Sequence, residues 1–400
     1  MADSSGGGGK PAYGAATNLV RGGQERSQFG ETSEALFLTS GYAYDSAEQA
    51  AARMAGDEPG FVYSRYANPT VRMLEERLAL LEGAESCRVT ASGMSAISAA
   101  MMAPCEAGDR VVAAKALFGS CRWIVATLMP RYGIETEFVD GHDLAAWERA
   151  LSRPAKMVLV ESPSNPLLDA VDMAAVADLA HKAGAKLVVD NVFATPVLQK
   201  PLEFGADIVT YSLTKHMDGQ GRVLAGAILG EEDYLKETYD LYLRHTGPAP
   251  SPFNAWVVLK GLETLQLRVR HASETAARLA DTLAAHTNVR AVNYPGRADH
   301  PRHGVHAKQM SAGGTLVAFS IKGARPEAFA VLNALELIDI SNNLGDAKSL
   351  ACHPASTTHR ALNDEERASM GLDDSWLRLS VGLEDADDLE ADLVQALNAI

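Results

Sequence analysis

KMVLVESPSNPLLDAVDMAAVADLAHKAGAKLVVD, residues 156–190, places one helical repeat between two short apolar runs. The runs KMVLVE and KLVVD are β-rich and continuously apolar, the pattern of strands buried on both faces of a parallel sheet. Between them DMAAVADLAHKAG (172–184) reads as a helix, with Asp172 as its N-cap and Gly184 closing it. A strand, a helix and a second strand at this spacing make a crossover unit. DRVVAA (109–114) and DIVTYS (207–212) continue the alternation to about residue 230. The stretch therefore predicts an α/β unit built on a mainly parallel sheet, with helices on both sides.

Working outward, VRMLEERLALLEG (71–83) has Val71, Leu74, Leu78 and Leu81 at helical spacing and stops at Gly83. Residues 1–60 show little periodicity; with aromatic anchors at Tyr42, Tyr44 and, just beyond, Phe61, they read as a tail and an extended arm. Residues 61–255 form the large unit. A long helical stretch, 256–286, is expected to break at Gly261 and lead into a smaller α+β unit spanning 256–400. TLVAFSI (315–321) and WLRLSVG (376–382) frame that second unit. No internal repeat is present.

The chain has 400 residues, 47% apolar and 22% charged, as in ordinary soluble globular proteins. A formal charge of −15 argues against nucleic acid or an anionic membrane as partner. Cys87, Cys105, Cys121 and Cys352 form no CxxC pair and read as reduced thiols of a cytoplasmic protein. The opening MADSSGGGGKP lacks the apolar core of a signal peptide and reads as a flexible tail, and no run approaches membrane-spanning length.

In parallel α/β sheets, ligands lie at the carboxyl ends of the strands. Here those ends are polar: KMVLVE gives Glu161 and Asn165, KLVVD gives Asp190, and DIVTYS gives Ser212, Thr214 and Lys215. Asp190 alone reads equally well as a turn cap. Asn165, Asp190 and Lys215 delivered to one crevice read as a site. TASGMSAISAAMMA (90–103) opens a small-residue helix with Ser92, Gly93 and Met94, whose N–H groups and dipole favour a phosphate. Ser212 and Thr214 add hydroxyl donors to the same anion. A phosphate cradle, a lysine among small hydroxyls and a carboxylate on a neighbouring strand suggest pyridoxal phosphate. Its aldehyde needs an amine, which Lys215 supplies, and its ring nitrogen needs a partner that keeps it protonated, which Asp190 supplies.

Two other features are weaker. His300, His303 and His306 are spaced like metal ligands, but no closed ligand set accompanies them. That segment reads as a loop, and no metal is expected. HPASTTH (353–359) reads as a loop near the substrate entrance rather than as a catalytic dyad. No GxGxxG follows an early strand, which disfavours a nicotinamide dehydrogenase.

YSRYANPT (63–70), SGM (92–94), ESPSNP (161–166), VVDNVFATP (188–196), SLTKHMDGQGR (212–222), NNLGDAKSLACHPASTTH (342–359) and LRLSVGLE (377–384) together resemble the Cys/Met-metabolism family of pyridoxal-phosphate enzymes. The resemblance spans nearly the whole chain after the tail. It implies a fold-type-I transferase assembled as a homotetramer of tight dimers. It also implies that Tyr63 and Arg65 reach the phosphate of the neighbouring subunit's cofactor, while Gly93, Met94, Ser212 and Thr214 hold the phosphate of their own. Phe118 stands where many relatives stack a tyrosine on the ring, so any acid–base role of that hydroxyl is lost. Arg378 would clamp the substrate α-carboxylate beside Asn165. Asn343, where lyases and cystathionine synthases usually carry serine, would face the substrate. DNVFATP, DGQGR and NNLGDAKSL are most similar to the bacterial branch that acts on O-succinylhomoserine and sulfide. The implied reaction is γ-replacement giving homocysteine and succinate in methionine biosynthesis. Cystathionine γ-synthesis, O-acetylhomoserine sulfhydrylation and γ-elimination are the alternatives.

Overall fold

Met157–Glu161 and Lys186–Asp190 are neighbouring parallel strands, in register from Met157 opposite Lys186 to Glu161 opposite Asp190. The helix Met173–Lys182 links them. The Asp172 carboxylate accepts from the Ala175 N–H at 3.2 Å, and Gly184 turns the chain out at φ +75°. These features come from a computed structural model that describes residues 13–400; the stretch read as a flexible tail lies outside the described residues.

The large sheet has seven strands: β1 (Ser86–Thr90), β2 (Arg110–Ala114), β3 (Glu135–Val139), β4 (Met157–Glu161), β5 (Lys186–Asp190), β6 (Ile208–Ser212) and β7 (Gly226–Gly230). Their order is β1-β7-β6-β5-β4-β2-β3. Only β7 runs against the others, pairing antiparallel with both β1 and β6. Strand residues alternate between two apolar cores. Val158, Val160 and Val189 face one, with Leu74 and Leu78 of helix Pro69–Glu82; Met157, Leu159 and Val188 face the other, with Ala96 and Ile97 of helix Gly93–Met102. A sheet clothed on both faces has only its strand ends free for chemistry.

Glycines set two close approaches behind those ends. A Cβ on Gly226 would lie 2.2 Å from the Ser92 carbonyl oxygen, so β7 presses against the loop before the Gly93 helix. The expected break at Gly261 falls later: helices Pro252–Leu262 and Leu265–Ala285 are separated by Glu263 and Thr264. Gly261 is helical, and it is glycine because the Met217 carbonyl oxygen would lie 2.4 Å from any Cβ there. Its role is contact, not breakage.

The smaller sheet contains β8 (Val289–Asn293), β9 (Leu316–Ile321), β10 (Asp339–Ile340), β11 (Leu350–Cys352) and β12 (Trp376–Ser380), in the order β10-β11-β12-β9-β8. It is antiparallel except for β10 beside β11. Val317, Phe319 and Leu377 bury one face against helices Leu265–Ala285, Arg325–Ala334 and Ala386–Leu397. The N-terminal arm is less extended than its composition predicts. It carries helices Ala15–Arg21 and Ala47–Ala55 and meets the next segment through a bridge between Gly41 and Tyr63.

Candidate active site

The carboxyl ends of β4, β5 and β6 open into one cavity of about 520 Å³, closed on the far side by β12 and the segments before β11 and after it. Gly93, Met94, Phe118, Asn165, Asp190, Ser212, Thr214, Lys215, Asn343 and Arg378 all line it. Tyr63 and Arg65 do not. Tyr63 is 43% exposed, and the Arg65 guanidinium lies over the Tyr63 and Tyr66 rings, donating to the Arg244 carbonyl oxygen.

At one end sits the predicted cradle. Ser92 caps the helix Gly93–Met102 by accepting from the Ser95 N–H at 3.1 Å, which leaves the first N–H groups directed outward. A Cβ on Gly93 would lie 2.6 Å from Ser212 Cβ, so only glycine lets the helix start and the end of β6 meet. The Thr214 hydroxyl accepts from the Ala225 N–H at 3.1 Å, tying the turn after β6 to the residue before β7. Backbone N–H groups at a helix start beside Ser212 and Thr214 form a site suited to a phosphate.

Lys215 is the cavity's amine. Its ammonium donates to Asn343 Oδ1 at 2.5 Å and has no carboxylate partner among the described residues. Burial, with Arg378 adding to it, lowers its pKa to about 8, which favours a neutral nucleophilic amine. Asp190 is the converse. Burial raises its carboxyl to about 7; a backbone N–H from Val192 at 3.1 Å works against that, and no cation pairs with it among the described residues. A half-buried carboxylate in the cavity wall, without a countercharge, suits a protonated ring nitrogen.

Arg378 enters from β12 and is 2% exposed. Nη1 donates to Asn165 Oδ1 at 2.8 Å and Nη2 to the Asn342 carbonyl oxygen at 3.0 Å, while the guanidinium lies 5.9 Å from the Phe193 ring centroid. Among the described residues no carboxylate forms an ion pair with it. A buried, unpaired guanidinium held in a fixed plane is built to receive an anion. The amine, the acid, the cradle and the guanidinium thus fit pyridoxal phosphate with an amino-acid substrate.

Asn343 lines the cavity and accepts from the Lys215 ammonium. Glu161, visible at the strand end, is a full member of the cavity wall. Thr357 and Thr358 of HPASTTH line it too, and the Thr358 hydroxyl lies 2.9 Å from His359 Nδ1. Burial lowers His359 to about 4, keeping that imidazole neutral. The histidine segment is not a simple loop: a helix runs from His303 to Gln309, and His306 Nε2 lies 3.0 Å from the Leu168 carbonyl oxygen. No group of three or more side chains suited to a metal occurs among the described residues.

The fold and this cavity define a pyridoxal-phosphate-dependent enzyme of fold type I. The chain belongs to the Cys/Met metabolism PLP-dependent enzyme family, which it matches over residues 16–398. It is 56% identical over 387 residues to an O-succinylhomoserine sulfhydrylase of Mycobacterium tuberculosis, covering 96% of this chain and 95% of that one. A protein of the same description from Pseudomonas aeruginosa is 48% identical, with 96% and 95% covered. The crystal structure of cystathionine gamma synthase from Xanthomonas oryzae superposes with a TM-score of 0.92 at 35% identity, covering 98% of this chain and 99% of that one.

Proposed function

We propose that this enzyme catalyses γ-replacement on O-succinylhomoserine, with sulfide as nucleophile, to form homocysteine and succinate. The observation that carries the reading is the buried, unpaired Arg378 facing Lys215 across one cavity, in a chain so similar to two sulfhydrylases. Bound pyridoxal phosphate supplies the electron sink that makes the α-carbon of an amino acid acidic. Lys215 would anchor the cofactor, and its amine is the group placed to move protons on and off the substrate carbons. Asp190 would hold the proton on the ring nitrogen. Gly93, Met94, Ser212 and Thr214 would hold the phosphate, and Phe118 would cover the ring. Arg378, oriented by Asn165, binds the α-carboxylate, and Asn343 directs the Lys215 amine by accepting from it.

Tyr63 and Arg65, which lie off their own chain's cavity, serve the phosphate of a partner subunit in a tight dimer, two of which form a homotetramer. The free thiols and the absence of a helix long and apolar enough to cross a membrane, among the described residues, agree with a cytoplasmic location. The test is product analysis with O-succinylhomoserine and O-acetylhomoserine, each offered sulfide or cysteine. Homocysteine from the succinyl ester and sulfide is the expected result. Cystathionine, a preference for the acetyl ester, or a keto acid with ammonia as main product would each replace this reading with its named rival.

A further inference from the structure

One carboxylate in the cavity wall has no part in the scheme above. Glu161 ends β4 beside Asp190 and is 4% exposed. Its Oε2 accepts the Phe118 N–H at 2.8 Å, and its Oε1 accepts the Asn165 N–H at 2.9 Å. Both donors are backbone groups of residues already placed in the site. Phe118 leads into the helix Gly119–Trp123, and Asn165 lies in the turn after β4, where its side chain holds Arg378. Among the described residues no cation forms an ion pair with Glu161. Burial, and after it the neighbouring Asp190, raise its carboxyl well above the usual carboxylate range, against the pull of the two N–H donors and Arg378. A carboxylate kept in so unfavourable a place is held by what it connects.

We propose that Glu161 is a positioning residue that fixes the cofactor-face loop at Phe118 and the substrate clamp at Asn165 to each other through its two oxygens. A carboxyl group presents an oxygen lone pair at each end, ionised or with its proton turned away; a glutamine accepts at one end and points a second donor at the other N–H. Occupancy of Arg378 is thereby passed to the ring-stacking side chain without direct contact. The inference rests on reading Arg378 as a carboxylate clamp, and is independent of which acyl group the substrate carries.

The test is Glu161→Gln in the holoenzyme, with two readouts. Leaving one buried N–H without its acceptor should raise KM for the homoserine ester about tenfold, with a smaller fall in kcat. The visible circular dichroism of the bound cofactor, compared at equal absorbance, should shrink as the Phe118 face loosens. Asn165→Ala, which keeps the backbone N–H on Glu161, should raise KM and leave the dichroism unchanged. A Gln variant altered in only one readout would overturn the proposal. Should the variant fail to fold, amide hydrogen exchange in the wild-type holoenzyme decides. Norleucine, an amino acid with no leaving group, should slow exchange at the Phe118 and Asn165 amides together. Slowing at Asn165 alone refutes the link, whereas no change at either amide counts against the clamp reading.

Discussion

Arg378→Lys keeps the positive charge in the cavity and removes the plane. The guanidinium is held by Asn165 Oδ1 at 2.8 Å and the Asn342 carbonyl at 3.0 Å, leaving the rest of its fork for a carboxylate. A lysine ammonium is a point donor, unable to satisfy both fixed acceptors and also meet a carboxylate with two parallel bonds. At least one charge-assisted hydrogen bond is lost, worth about 1.5–3 kcal/mol. That corresponds to a loss of roughly tenfold to a hundredfold or more in apparent affinity. The α-carboxylate is bound in both ground and transition states, so the change should fall mainly on KM. Steady-state kinetics at saturating sulfide measures it, with cofactor occupancy checked by visible absorbance. A KM within about threefold of wild type, at full occupancy, would refute the placement of the carboxylate on Arg378.

Three further outcomes are expected. Lys215→Ala should fold and retain cofactor non-covalently while turnover falls by orders of magnitude; near-wild-type turnover would remove Lys215 from its role. Asp190→Asn preserves shape but cannot keep the ring nitrogen protonated, so single-turnover loss of the α-proton, followed by deuterium exchange, should slow more than substrate binding weakens. A change confined to KM would contradict the assignment. Arg65→Ala mixed with Lys215→Ala under subunit exchange should recover activity, because one site of each mixed dimer receives no defect. With random pairing the recovery approaches about a quarter of wild type. No recovery, alongside a wild-type control that survives exchange, would return Arg65 to its own chain.

Much of the large sheet was legible because its strands are apolar without interruption. The caps of helix Met173–Lys182 were legible because Asp172 and Gly184 act locally. What failed depended on partners distant in sequence. Gly261 looks like a breaker until the Met217 carbonyl is brought against it. The helix His303–Gln309 has no apolar period, and its His306 is used against Leu168 of a remote turn. Of the two short helices of the arm, Ala15–Arg21 buries only Leu19, and Ala47–Ala55 is amphipathic but short, rich in alanine and without a buried residue. At the site, residue types with one chemistry each, such as Lys215, Asp190 and Arg378, could be named from strand ends and motifs. Asn343 was named through the resemblance alone, and its bond to Lys215 could not be read from the sequence because the two lie far apart in it. Glu161 stood in plain view, but a side chain that accepts from backbone N–H groups leaves no signature in a string of letters.

The cavity wall has two owners. Lys215, Asp190 and Asn165 follow strands of the larger sheet, whereas Arg378 rides on β12 of the smaller one. The bond between Arg378 and Asn165 therefore works as a gauge of how the sheets are seated. A tilt too slight to wet either core is enough to break a contact of 2.8 Å. Warming should accordingly silence the enzyme before it melts: affinity for the amino acid fades first, the colour of the bound cofactor persists, and the loss reverses on cooling.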